Sequence, residues 1–114
     1  MRLVKQSEAE KFANSDKCFG QNYLLDESAM NLAVIKVTGR YPEENLVANE
    51  ISKEMCYVLS GGGKIVKKGG ETLEFKKGDM VFVDKGEAYY WDGDFEIATI
   101  CAPAWAAEQH KEVK

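Results

Sequence analysis

From residue 30 onward the chain breaks into short apolar runs, each closed by glycine-bearing turn chemistry, and this punctuation decides the fold class. Residues 30–38 are β-branched and apolar and stop at Gly39; residues 54–60 run into Gly61-Gly62-Gly63; residues 64–67 end at Gly69-Gly70. Residues 71–75 alternate polar and apolar side chains, as a half-buried strand does. Gly78-Asp79 opens the run 80–83 and Gly86 leads into 88–91. Asp92-Gly93 carries a type I′ hairpin signal before the run 95–101. Turns this frequent leave no room for the crossover helices of a parallel sheet, so a sandwich or barrel of short strands is predicted. Helix is expected only at the ends. Residues 7–12 can start on Ser7 as N-cap, and 103–110 can start with Pro103 at the first helical position.

The 114 residues suit one domain, 1–114, with a barrel core of about 30–101 and a C-terminal tail from 102 to 114. With 15 Lys and Arg against 19 Asp and Glu, the net charge of -4 lacks the basic stripe that a nucleic-acid binder needs to displace phosphate counterions. The first twelve residues hold no apolar core of a signal peptide, and no apolar run approaches the ~20 residues of a membrane span. Cys18, Cys56 and Cys101 are widely spaced and odd in number, which points to neither a zinc knot nor a disulfide framework. Free thiols suit a reducing, cytoplasmic setting.

Two stretches resemble the paired motifs of the cupin superfamily. Six residues of an apolar strand separate Glu54 from Gly61, like the end of the first motif, and Gly78-Asp79 before an apolar strand resembles the second. Asp84 replaces the usual proline there, while Gly86 keeps the glycine. The resemblance covers roughly residues 30–101. It implies an all-β, cupin-type jelly roll (a double-stranded β-helix barrel) with short terminal helical segments. More closely, Arg40-Tyr41-Pro42, Asn49-Glu50, the run 89–93, Pro103-Ala104-Trp105 and Glu108-Gln109-His110 resemble a subgroup of small single-domain cupins lacking the metal-binding histidines. That likeness implies a fold and a site but supplies no substrate. In metal-binding cupins a His-x-His precedes the motif glutamate. Counting back from Glu54 puts Ala48 and Glu50 at those positions, and Tyr89 and Gly93 at the third histidine and the asparagine. With its one histidine, His110, in the tail and expected to be exposed, the barrel is read as having neither metal nor other cofactor.

Glu50 and Glu54 would face each other across a hairpin at residues 51–53. Two carboxylates in one apolar cavity cannot both ionise cheaply, which suits general acid/base work with Tyr89 as partner. Tyr89 and Trp91 share a strand face and would offer a phenol and an indole to a ring. Arg40 and Tyr41 follow Gly39 on a loop, where an arginine can hold a carboxylate and a phenol can join it. Cys56 is read as inert packing, and Trp105 as covering a barrel edge or docking on a partner subunit. The expected function is metal-independent binding of a small polar organic ligand, sugar-like or carboxylate. The alternative is an isomerase, epimerase or lyase using Glu50, Glu54 and Tyr89; a metal-dependent cupin with oxygen ligands ranks below both. Unpaired backbone on an open barrel's edge gives a motive for a homodimer, through residues 30–38 or 19–25.

Overall fold

The computed structural model describes residues 1–114 as nine strands, all paired antiparallel. In chain order these are β1 (Glu10–Ser15), β2 (Cys18–Tyr23), β3 (Asn31–Thr38), β4 (Leu46–Asn49), β5 (Lys53–Lys67), β6 (Thr72–Lys76), β7 (Met80–Val83), β8 (Tyr89–Ala102) and β9 (His110–Val113). The all-β jelly roll is therefore observed. Its helix is limited to single 3-10 turns at Gln6–Glu8 and Ala107–Gln109. No helix is long and apolar enough to cross a membrane.

The spine is the pair of long strands β5 and β8, 15 and 14 residues, which stay in register along nearly their whole length, with one shift between Val58 and Ser60. Each strand serves two sheets. The first half of β5 and the second half of β8 build the order β1-β2-β3-β8-β5-β7, and their other halves build β9-β4-β8-β5-β6. Gly61, Gly62 and Gly63 lie opposite Phe95, Asp94 and Gly93 where the spine crosses from one sheet to the other. A Cβ on Gly61, itself at φ +73, would sit 2.1 Å from the Asp94 carbonyl oxygen. The backbones can approach this closely only without side chains there. This corrects two expectations. The glycine triplet does not end a strand, and Asp92-Gly93 does not turn a hairpin, because both lie inside one continuous ladder, with Gly63 opposite Gly93 and Lys64 opposite Asp92.

The ends of the chain also belong to the sheets. Phe12 pairs with Gly20 on β2, so residues 10–15 are a strand and not the predicted helix. The Ala104 and Trp105 N–H groups donate to the Ser28 carbonyl and to Asn31 Oδ1, which diverts the donors a helix from Pro103 would need. Residues 110–113 then pair with β4. The sheets thus extend on both sides of 30–101. Inward residues of the two sheets form one core around Val37, Val58, Phe95 and Ile97, closed at one end by Phe75 set edge-on to Phe95 and Trp91. Towards the other end the inward residues shrink to Ala33, Cys56, Thr99 and Cys101, and a cavity opens.

Candidate functional site

That cavity and the open solvent at its mouth together hold about 580 Å³ of free space. Trp91, Ile97 and Ile35 supply apolar wall, Cys56, Thr99 and Ala33 line it from adjacent strands, and Asn14, Asn22 and Asn31 bring carboxamides from β1, β2 and β3. Its polar content is organised around Asn49. Asn49 Nδ2 donates to Glu54 Oε1 at 2.6 Å, while Asn49 Oδ1 accepts from Trp105 Nε1 at 2.9 Å and lies 2.8 Å from His110 Nδ1. An amide oxygen can only accept, so His110 carries its proton on Nδ1, and its Nε2 accepts from the Tyr41 hydroxyl at 2.9 Å. On the far side, the Cys101 thiol donates to Glu54 Oε2 at 3.3 Å. The result is one chain of contacts, Tyr41–His110–Asn49–Glu54–Cys101.

Each member is positioned by a different element. β4 and β9 pair Asn49 with His110 across their ladder. Gln109 latches that ladder to the turn before β5: its Oε1 accepts from the Ile51 and Ser52 N–H groups, and its Nε2 donates to Ser52 Oγ. β5 turns Glu54 inward, and Tyr41 is held by a two-way backbone bridge to Trp91. The Tyr41 and His110 rings lie 4° from parallel, with centroids 6.2 Å apart.

Burial sets the protonation states. It pushes the Glu54 carboxyl above its ordinary range, against the lowering effect of the Cys101 and Asn49 hydrogen bonds. It lowers His110, which favours the neutral imidazole the tautomer requires. Burial raises the Tyr41 phenol to about 12 and holds Tyr89 well above its ordinary value. The Cys18 and Cys56 thiols rise to about 12 and Cys101 rises too, again through burial first, so all three stay protonated. One polar atom in this interior has no hydrogen-bond partner: the hydroxyl of Thr99, a residue 1% exposed that lines the cavity.

The structure gathers Glu54, Tyr89, Tyr41 and Trp91 at the cavity and leaves Glu50 and Arg40 outside it. Glu50 is exposed in the turn before β5, so it forms no pair with Glu54. Arg40 braces its own loop, donating to the Pro42 and Asn45 carbonyls with its guanidinium 3.8 Å over the Tyr90 ring. The side chain reaching the site beside Glu54 is Asn49. Four residues, not three, separate it from Glu54, which moves the vacated His-x-His positions by one, from Ala48 and Glu50 to Val47 and Asn49. The even longer-range correction is His110, expected in solvent and found half-buried with both ring nitrogens engaged. Trp105 lies over the site and not on a distant edge. Allowing a four-residue spacing before Glu54 would have revealed Asn49. No local signal marked His110, because a strand pairing brings it there.

The match to known proteins runs through the same segment. Residues 46–98 match the model of the EutQ-like cupin domain. Among solved structures, Pac13 of Streptomyces, a nucleoside dehydratase, superposes with a TM-score of 0.86 over 100% of this chain and 92% of its own. The chain has the fold of a small cupin. Ectoine synthase from P. lautus (TM-score 0.72, 90% of this chain and 80% of that chain) and the polyketide cyclase RemF from Streptomyces resistomycificus (0.76, 100% and 86%) share the barrel. Identities are 19%, 20% and 14%, so these likenesses speak to the fold. No curated protein matches the sequence.

Proteins of this fold often hold a metal, but the residues of this chain do not fit one. The inward positions that correspond to metal ligands carry Val47, Asn49, Glu54 and Tyr89. Both nitrogens of the one imidazole and both oxygens of the one carboxylate are already hydrogen-bonded to protein. No group of three His, Cys, Asp or Glu side chains is placed to hold an ion.

Proposed function

We propose that this protein binds a small polar, ring-bearing organic molecule of the sugar or nucleoside kind in its cavity and transfers protons on it without a metal, as a lyase or isomerase. The observation carrying this reading is the oriented Tyr41–His110–Asn49 chain at the wall of an otherwise apolar cavity. Asn49 holds the imidazole tautomer whose Nε2 takes the Tyr41 proton, so the Tyr41 oxygen can accept a proton from a ligand as it releases its own. Glu54, with its raised affinity for a proton, is the group to return one to a departing oxygen or to carbon. Tyr89 lines the pocket as a neutral phenol and, with Trp91, gives a ring a flat apolar wall. The Thr99 hydroxyl and the carboxamides of Asn14, Asn22 and Asn31 are available to ligand hydroxyl or carbonyl groups. Support by likeness comes from Pac13, a nucleoside dehydratase also solved with uridine.

Thermal-shift screening with uridine, other nucleosides, free sugars, sugar phosphates and keto acids tests the binding. A ligand at ~100 times its dissociation constant should add about 2.7 kcal/mol of stability. For the ligand found, NMR in D₂O then follows exchange at its C–H positions. His110→Gln and Tyr41→Phe should each slow that exchange about 100-fold or more while leaving affinity within about fivefold. Thr99→Val should weaken binding about tenfold and Thr99→Ser should not. A protein bound by nothing in this library would sink the reading. Binding without exchange would favour a carrier, a role consistent with protein partners occupying both His110 nitrogens. The three free thiols support a cytoplasmic setting, and we take the working unit to be a homodimer.

A further inference from the structure

Each member of the chain of contacts from Tyr41 to Cys101 is able to reverse its role. A hydroxyl or thiol donates and accepts, an imidazole exchanges tautomers, a carboxamide turns over, and a carboxyl takes up a proton. Two self-consistent directions therefore exist. In the observed one Tyr41 donates to His110 Nε2, His110 Nδ1 donates to Asn49 Oδ1, and Asn49 Nδ2 donates to Glu54 Oε1. In the reverse one a protonated Glu54 donates to Asn49 Oδ1, Asn49 Nδ2 donates to His110 Nδ1, and His110 Nε2 donates to the Tyr41 oxygen. Burial strengthens the hold of Glu54 on a proton, so the carboxyl by itself does not forbid the reverse direction.

Trp105 does forbid it. An indole N–H donates and never accepts. Trp105 Nε1 lies 2.9 Å from the same Asn49 oxygen that meets His110, and Asn49 is 3% exposed. Turning the carboxamide over would set amide N–H against indole N–H in a buried place, which lowers that arrangement's population roughly ten- to a hundredfold. The indole is not free to swing aside. The Trp105 backbone N–H donates to Asn31 Oδ1 at 2.8 Å, the Ala104 N–H donates to the Ser28 carbonyl, and the Pro103 carbonyl accepts from Ser52 Oγ at 2.7 Å. The indole also packs against the His110 ring, with centroids 5.8 Å apart.

We propose that Trp105 is a positioning residue that sets the direction of the whole chain through Asn49, and thereby selects a ligand that offers Tyr41 a hydroxyl or N–H. With its proton committed to Nε2 and no second protein partner, the Tyr41 hydroxyl has only lone pairs to present to the cavity it lines. A ligand carbonyl or ether at that place would meet lone pair with lone pair. The selectivity rests on the reading of the cavity as a binding site; the direction of the chain does not.

His110 is the only histidine of the chain, so protein labelled with nitrogen-15 histidine reports its tautomer by NMR through two ring signals. Wild type near pH 7.5 should hold more than about 90% of the Nδ1–H form. Glu54→Gln, whose amide either donates or accepts, should keep that form because the indole is still in place. Glu54→Gln with Trp105→Phe should release it, raising the Nε2–H form from under about 10% to roughly a third or more. Circular dichroism melts check folding, and Trp105→Leu replaces Trp105→Phe if the latter unfolds. An Nε2–H majority in wild type, release by Glu54→Gln alone, or a double variant that keeps the wild-type tautomer overturns the role of Trp105. Cyclopentanol and cyclopentanone, one able to donate and the other not, probe the ligand end by titration of the His110 signals. The alcohol should bind wild type about tenfold tighter than the ketone, and the ratio should fall to within about threefold in the double variant. A ketone bound as tightly as the alcohol by wild type, or silence from both, overturns the selectivity. The tautomer is read without any ligand, so it stands or falls apart from the proposed function.

Discussion

At the residue scale, Glu54 shows what burial does to a carboxyl. Its folded pKa lies above its unfolded one because desolvation outweighs two hydrogen bonds. The folded state therefore holds the proton more tightly, and stability is lost as pH rises from the ordinary carboxyl value, near 4.5, through the raised folded value. Glu54→Gln removes that charge while keeping an oxygen for the Asn49 amide. The variant should melt a few degrees higher than wild type at pH 8, with the gap closing as pH falls to about 4. Parallel melting curves at both pH values would show that Glu54 is ionised without penalty. His110 acts in the opposite sense: its lowered pKa costs stability as pH falls below about 6.5, which both proteins share. The glutamate was legible in the sequence from its spacing to Gly61. Its partner was misread, because Ala48, Asn49 and Glu50 are consecutive and a one-residue shift of register exchanges which side chains face inward.

At the scale of elements, the glycines at the sheet crossing decide whether the barrel closes. Gly61→Ala meets both a positive φ and a carbonyl oxygen 2.1 Å from the new Cβ, on the central strand pair. It should destabilise by more than about 3 kcal/mol, a melting-point drop of over ten degrees. Gly70→Ala is the matched control, since it has φ +97 but open space around it; it should cost only about 1 kcal/mol. Equal losses would show that backbone conformation, not the approach of β5 to β8, sets the requirement. The β segments themselves were readable from alternation and composition. Their continuity through Gly61-Gly62-Gly63 and Asp92-Gly93 was not, because turn signals describe local preference and here a partner strand overrides it. β9 was invisible for a related reason: residues 110–113 become a strand only where β4 offers an edge to pair with.

At the scale of the whole molecule, reactive chemistry is turned inward and apolar surface is partly turned out. All three cysteines are at most 3% exposed, and burial keeps their thiols protonated. A thiol reagent such as DTNB should therefore label none of them in the native protein at pH 8 and all three in denaturant, at a rate that tracks opening of the barrel. Rapid native labelling of Cys101 or Cys18, both on the cavity wall, would mean that solvent reaches them as thiolates. The sequence by itself determined the all-β class, the jelly-roll likeness, Glu54, Tyr89, Tyr41 and Trp91 as inward candidates, and the lack of metal histidines. These follow from local spacing and from period-two alternation, which a single chain displays directly. Only the tertiary structure decided that Asn49 replaces Glu50 at the site, that His110 completes it, and that the outward sheet face of Met55, Tyr57 and Ile100 is left apolar. Those outcomes depend on pairings between residues as much as 69 positions apart, such as Tyr41 with His110, and no local pattern encodes which strands will meet.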